Sequence, residues 1–176
     1  STLQQEAARK LRFSAKKTMQ IAQKLYEDGL ITYMRTDAVN LSADAIKSCR
    51  EAILKYFGEA YLPKEAKEYK AKSKNAQEAH EAIRPTDVLK SPGTVSGLDA
   101  SSAKLYELIW RRFVASQMTD AKFSLRTVSI ESIKQGQKHS YLFTVSTTSV
   151  IFEGFLKAMP TAAVKRKQDA EDDSDE

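Results

Sequence analysis

A tyrosine and an arginine stand two residues apart in the stretch Gly29-Leu30-Ile31-Thr32-Tyr33-Met34-Arg35-Thr36-Asp37. A phenol can attack a phosphodiester, but with a reference pKa of about 10 it needs a neighbouring cation to favour the phenolate. The same cation would neutralise charge on the pentavalent phosphorus of the transition state. Arg35 has the chemistry for this: permanent charge on a planar fork that matches phosphate oxygens. In an extended segment alternate residues share a side, so Tyr33 and Arg35 would face one phosphate. Asp37 comes next in that phase and would orient Arg35. The bland reading of the same residues is a half-buried tyrosine and a surface Arg–Asp pair at a turn, because short patterns of this kind are loose.

A second chemistry-bearing stretch is Gln77-Glu78-Ala79-His80-Glu81-Ala82-Ile83-Arg84-Pro85-Thr86. Its residues predict a short helix over 77–84 that Pro85 terminates. At helical spacing Gln77, His80, Glu81 and Arg84 share a face, which would make a polar wall beside Tyr33. His80 can carry charge near neutral pH and so assist at a phosphate; it can equally hydrogen-bond a helix neighbour. The single cysteine, Cys49, forms no intramolecular disulfide and, with two separated histidines, no Cys/His zinc motif. It reads as a small buried apolar residue in a reducing, intracellular compartment. No metal ligands are assigned in this chain. The acidic Asp173-Ser174-Asp175-Glu176 reads as a solvated charge run.

The elements that must position these residues follow from caps and periodicity. Leu3, Ala7, Ala8 and Leu11 predict a helix capped by Ser1 or Thr2. After the turn Arg12-Phe13, Ser14 caps a second helix with Ala15, Met19, Ala22, Leu25 and Tyr26 on one face, ending at Gly29. Residues 30–34 read as a short strand or extended turn. Ser42 caps a third helix with an apolar stripe through Ile46, Cys49, Ile53, Tyr56 and Phe57, ending at Gly58. Residues 59–76 read as a polar loop with some helix, and 90–98 as a connection. Asp99 caps a helix that buries Leu105, Leu108, Ile109, Trp110, Phe113 and Val114. Beyond Lys122 the period changes to two: one strand through Ile130, a turn at Lys134-Gln135-Gly136-Gln137, a return strand through Tyr141, Phe143 and Val145, and a further strand within 150–159.

Helix, tight turn, helix and extended segment outline a helix-turn-helix or winged-helix unit, and equally a small helical bundle. Lys16 and Lys17 on its second helix can meet phosphates, or remain solvated. The 176 residues carry a net charge of +5 and a mean hydropathy of -0.48. Residues 161–176 hold six acids against Lys165, Arg166 and Lys167, which leaves residues 1–160 more basic than the total. A basic body attracts polyanions, although the sum does not say where the charge sits. No apolar run reaches the roughly 18 residues that span a bilayer. Neither a signal peptide nor a starting Met is present.

The two stretches together carry a resemblance. Gly29 to Asp37 resembles the active-site motif of type IA DNA topoisomerases, with Met34 after the tyrosine as in the bacterial branch, where other branches place Pro or His. Gln77 to Thr86 resembles the family's second signature, and further similarity runs through Leu108-Ile109-Trp110-Arg111-Arg112-Phe113 to Phe152-Glu153-Gly154-Phe155. The resemblance covers the chain except its charged tail. It implies that Tyr33 is the nucleophile of a 5′-phosphotyrosine link, that Arg35 holds the scissile phosphate, and that His80 assists. Lys16, Lys17, Asp37, Gln77 and Arg84 are the expected DNA contacts. Resealing would need no ATP, and the chain carries no phosphate-cradling glycine loop.

The resemblance further implies a fold that is α+β and mainly helical: a CAP-like, winged-helix-type domain over 1–120, strands of a partial β gate domain over 121–160, and a disordered charged tail over 161–176. Magnesium would be bound by a Toprim domain whose ligands lie outside this chain, so the chain alone is expected not to relax DNA. The expected partner is DNA, mainly single-stranded, with no membrane, for a monomer in the cytoplasm at the nucleoid. The rival readings are a non-catalytic winged-helix DNA-binding module and a protein-interaction domain. One position departs from the family: Ala38 stands where Ser is usual, which removes a hydroxyl but leaves the nucleophile.

Overall fold

The computed structural model describes residues 1–69, 80–133 and 140–160. They form two compact units, Ser1–Thr119 joined by the residues from Phe155, and Asp120–Gly154. In the first unit α1 (Thr2–Leu11) opens with a reciprocal capping box between Ser1 and Gln4 and closes on Arg12 in the left-handed region. The α2 helix (Ala15–Glu27) begins with the Ser14 hydroxyl accepting from Lys17 N–H at 3.2 Å. Its last turn ends in a Schellman motif: Gly29 N–H bonds Tyr26 O and Leu30 N–H bonds Leu25 O, each at 2.9 Å. Gly29 sits at φ +69°, the conformation that this cap requires.

The α3 helix (Ala43–Tyr56) is capped by Ser42 and buries Ala45, Cys49, Ala52 and Ile53. Burial pushes the Cys49 thiol up to about 12, against a weaker opposing pull from Arg50, so it stays protonated and packs as an apolar group. The α4 helix (Ala100–Gln117) is buried nearly all round, through Leu105, Tyr106, Leu108, Ile109, Trp110, Phe113 and Val114, as befits a central helix. It packs against α1, α2 and α3. Each fully buried leucine here, such as Leu25 and Leu105, contributes about 1.5–3 kcal/mol. Tyr106 OH donates to Lys90 O and Trp110 Nε1–H to Val88 O, both at 2.8 Å, which straps the chain after Pro85 onto α4.

The second unit is one antiparallel hairpin of β1 (Lys122–Ile133) and β2 (Ser140–Phe152), with Val128 opposite Val145 and Ile130 opposite Phe143. The expected turn at residues 134–137 lies outside the described residues.

Three sequence-based expectations change. The further strand within 150–159 is instead the end of β2, a 3-10 turn over Gly154–Lys157, and a return to the helical unit, where Leu156 and Ala158 are buried. Of the short strand or extended turn expected at 30–34, the strand reading reduces to a single bridge between Ile31 and Pro85. The helix expected over 77–84 is absent from its described part, residues 80–84. There the backbone bonds to Thr32 through Arg84 O and to Asn40 through Ala82 N–H, and groups so engaged are not available to close helical turns. Among the described residues no helix is long and apolar enough to cross a membrane.

Candidate active site

The site is made where the end of α2 meets the segment around Pro85. After the Gly29 turn, Thr32 N–H donates to Arg84 O at 2.9 Å and Thr86 N–H to Leu30 O at 3.1 Å. The Thr32 hydroxyl adds two bonds, donating to Ala82 O at 2.8 Å and accepting from Arg84 N–H at 2.9 Å. The Thr86 hydroxyl donates to Gly29 O at 2.6 Å. Pro85 lacks an N–H, so the side-chain hydroxyls supply bonds that a regular ladder would take from the backbone. Two stretches some fifty residues apart are thereby locked in one register, with Tyr33 following directly on the clasp.

Tyr33 is 45% exposed, whereas Met34 beside it is 2% exposed and anchored in the core. Arg35 is exposed as well, so the two candidate groups emerge on either side of a buried methionine. The Tyr33 ring meets Tyr26 edge-on, with centroids 5.2 Å apart and an interplanar angle of 68°. The expected pairing of Asp37 with Arg35 does not form among the described residues. Thr36 Oγ1 accepts from Ala38 N–H at 3.0 Å, and exposure alternates along the stretch, with Tyr33, Arg35 and Asp37 exposed and Met34 and Ala38 buried. Ala38 is buried, and the local cap comes from Thr36 rather than from a hydroxyl at 38.

In the second stretch His80 is exposed. Gln77 lies outside the described residues. Arg84 is half-buried and its guanidinium is engaged within the chain: Nε and Nη2 donate to Glu81 Oε1 and Oε2 at 2.8 and 2.9 Å, and Nη1 to Pro85 O at 2.9 Å. Glu81 Oε1 also accepts from Ser42 N–H at 2.9 Å, which ties the segment to the start of α3. Burial opposes ionisation of Glu81, but the Arg84 and Ser42 bonds outweigh it and hold the carboxyl below its ordinary range. The expected common helical face of His80, Glu81 and Arg84 is thus replaced by a fork-to-fork ion pair in extended backbone.

Lys16 and Lys17 are exposed in the first turn of α2, and Lys17 Nζ lies 4.4 Å from the centre of the Phe13 ring. Ten residues of helix put Lys16 about 15 Å along the axis from Tyr26, the ring neighbour of Tyr33. Reasoning from the sequence gave no role to the Thr32 hydroxyl, set Glu81 on a helical face rather than in an ion pair, and did not bring Tyr26 to Tyr33. The signal for the first was a β-branched hydroxyl directly before the tyrosine; the others depend on partners that spacing does not reveal.

The whole chain, residues 1–175, matches a family model described as DNA topoisomerase. It is 52% identical over 161 residues to DNA topoisomerase 1 of Mycolicibacterium smegmatis, covering 90% of this chain and 17% of that protein. The chain belongs to the bacterial type IA DNA topoisomerase family. With DNA topoisomerase 1 of Xylella fastidiosa the identity is 48% over 185 residues, covering 99% of this chain and 22% of the relative. The full-length topoisomerase I structure from Thermotoga maritima superposes with a TM-score of 0.72 at 40% identity, over 91% of this chain and 26% of that one. This topoisomerase chain therefore spans about a fifth of the length of its relatives. The mixed architecture of helices and a two-stranded sheet is the one it shares with the solved structure. Among the described residues no group of three or more His, Cys, Asp or Glu side chains gathers as a metal site.

Proposed function

We propose that this chain is the strand-cleaving segment of a DNA topoisomerase, in which the Tyr33 oxygen attacks a backbone phosphorus of single-stranded DNA. The new bond is a 5′-phosphotyrosine ester. The bond to the 3′ oxygen breaks, and that oxygen leaves as a hydroxyl once protonated. Resealing is the reverse attack by the 3′ hydroxyl, which restores the phosphodiester without ATP because the ester retains the bond energy. Arg35 holds the phosphate and offsets charge on its oxygens, and His80 assists from the paired segment. Arg84 contributes by holding that segment through Glu81, while Lys16 and Lys17 meet phosphates farther along the strand. Asp37 and Gln77 complete the expected DNA contacts. Magnesium, with ligands elsewhere in a longer protein, belongs to the same reading.

The observation that carries it is the exposed Tyr33 beside exposed Arg35, on a segment clasped to the one that bears His80. The α1–turn–α2 pair supports a CAP-like helical domain, and the β1–β2 hairpin part of a gate that moves the tyrosine; the enzyme would act as a monomer. The test is Tyr33→Phe in the intact enzyme. Loss of oligonucleotide cleavage with folding and DNA binding retained is expected, and undiminished cleavage overturns the reading in favour of a non-catalytic DNA-binding module. The chain alone is expected to leave supercoiled plasmid unrelaxed.

A further inference from the structure

Tyr26 has no part in the chemistry just described, yet its ring is the aromatic neighbour of Tyr33 at 5.2 Å and 68°. It is the penultimate residue of α2 and 41% exposed, while the adjacent Leu25 is fully buried and does the packing for that turn. A core role therefore does not explain an aromatic at this position. The local geometry brings the two rings together from opposite sides of one turn. The Schellman bonds at Gly29 and Leu30 reverse the chain after α2, and the Thr32 clasp then fixes where residue 33 emerges. The Tyr33 ring is half exposed while Met34 beside it is buried, and Tyr26 is the aromatic ring in contact with it. An edge-to-face pair places the positive rim of one ring on the negative face of the other, a contact that favours one ring angle over the rest.

We infer that Tyr26 is a positioning residue for Tyr33, holding the phenol ring by edge contact in the orientation from which its oxygen meets the scissile phosphate. This rests on the reading of Tyr33 as the nucleophile. In-line attack requires alignment, so relaxing the ring lowers the rate of the chemical step without loosening the DNA. The contact is between rings and needs no hydroxyl, so phenylalanine at position 26 preserves it.

The test is single-turnover cleavage of a single-stranded oligonucleotide by the intact enzyme, with its dissociation constant and thermal midpoint measured in parallel. Tyr26→Ala is expected to slow cleavage about three- to tenfold, the range an aromatic pair of this kind supports. Affinity and midpoint stay at the parent values, and Tyr26→Phe cleaves at the parent rate. Cleavage by Tyr26→Ala at the parent rate would overturn the inference, as would a loss accounted for by weaker DNA binding, which would make Tyr26 a base contact. Equal impairment of Tyr26→Phe and Tyr26→Ala would overturn it in favour of the hydroxyl. If Tyr33→Phe still cleaves, the nucleophile assignment fails and this inference with it; if Tyr33→Phe is inert and Tyr26→Ala is not slowed, only this inference fails.

Discussion

Thr32 makes the clasp with one hydroxyl that both donates and accepts, to Ala82 O and from Arg84 N–H. Thr32→Val keeps the shape but leaves the Arg84 amide and the Ala82 carbonyl each short of a partner. A half-buried polar group left unpaired costs about 1–3 kcal/mol, so urea denaturation of Thr32→Val should show a loss in that range, largely restored by Thr32→Ser. Glu81 makes a second residue-scale prediction. Its carboxyl is held below the ordinary range in the folded state by Arg84 and Ser42, against burial. A lowered folded pKa stabilises above the unfolded value of about 4.3, and that stability disappears as pH falls through the folded pKa. The thermal midpoint of Glu81→Gln should therefore lie below the parent at pH 6–7, with the gap closing as both are taken to acid below about pH 4. The spacing of Tyr33 and Arg35 is readable from the sequence because it is local, and Glu81 and Arg84 stand out there with His80, though as one helical face. The role of the Thr32 hydroxyl is not readable: its bonds to Ala82 and Arg84 span about fifty positions, and no spacing rule points to them.

Two glycines with positive φ differ in what surrounds them. Gly29 at φ +69° has open space where a Cβ would go, so Gly29→Ala meets only the cost of the left-handed backbone, about 1–2 kcal/mol. Gly154 at φ +51° is different, since a Cβ there would collide with the backbone of Asp120 and Ala121. Gly154→Ala should therefore destabilise more than Gly29→Ala in the same denaturation assay, and an equal effect would remove the steric argument. The helix starts were the most legible elements. Ser1, Ser14, Ser42 and Asp99 each cap the helix expected of them, because an N-cap side chain acts on amides two or three residues away. The segment before Pro85 went the other way. Residues 80–84 have helical spacing, yet Arg84 O and Ala82 N–H bond to Thr32 and Asn40, and tertiary hydrogen bonds outweigh a weak local propensity. The supposed last strand failed for a related reason, in that Gly154 breaks the extended run and the apolar Leu156 and Ala158 are drawn into the helical core.

At the scale of the whole molecule the hairpin is out of balance with its own size. A two-stranded sheet is marginal in water without a covered face, yet Phe123, Leu125, Val128, Ile130, Tyr141, Phe143 and Val145 are each 45–69% exposed. The register sorts them: Val128 lies opposite Val145 and Ile130 opposite Phe143, whereas Phe123 and Leu125 fall on the other face. Leu142, opposite Glu131 and also exposed, joins Phe123 and Leu125 on that face, and a hairpin with apolar residues on both faces is shaped to be enclosed. The chain spans about a fifth of its relatives' length, so that enclosure is expected from the remainder of a longer protein. In the isolated chain these side chains face water and should drive self-association. Replacing the cross-strand pair by Ile130→Lys with Phe143→Glu keeps a favourable contact between the strands while removing apolar area. Sedimentation velocity on the isolated chain should show weaker concentration-dependent association for the double variant, with its helical circular dichroism unchanged. In the intact enzyme the same changes should lower the thermal midpoint, because two charges would then be buried where apolar groups belong. An intact enzyme indifferent to both changes would mean that this face of the hairpin stays in water, and the enclosure argument would fall.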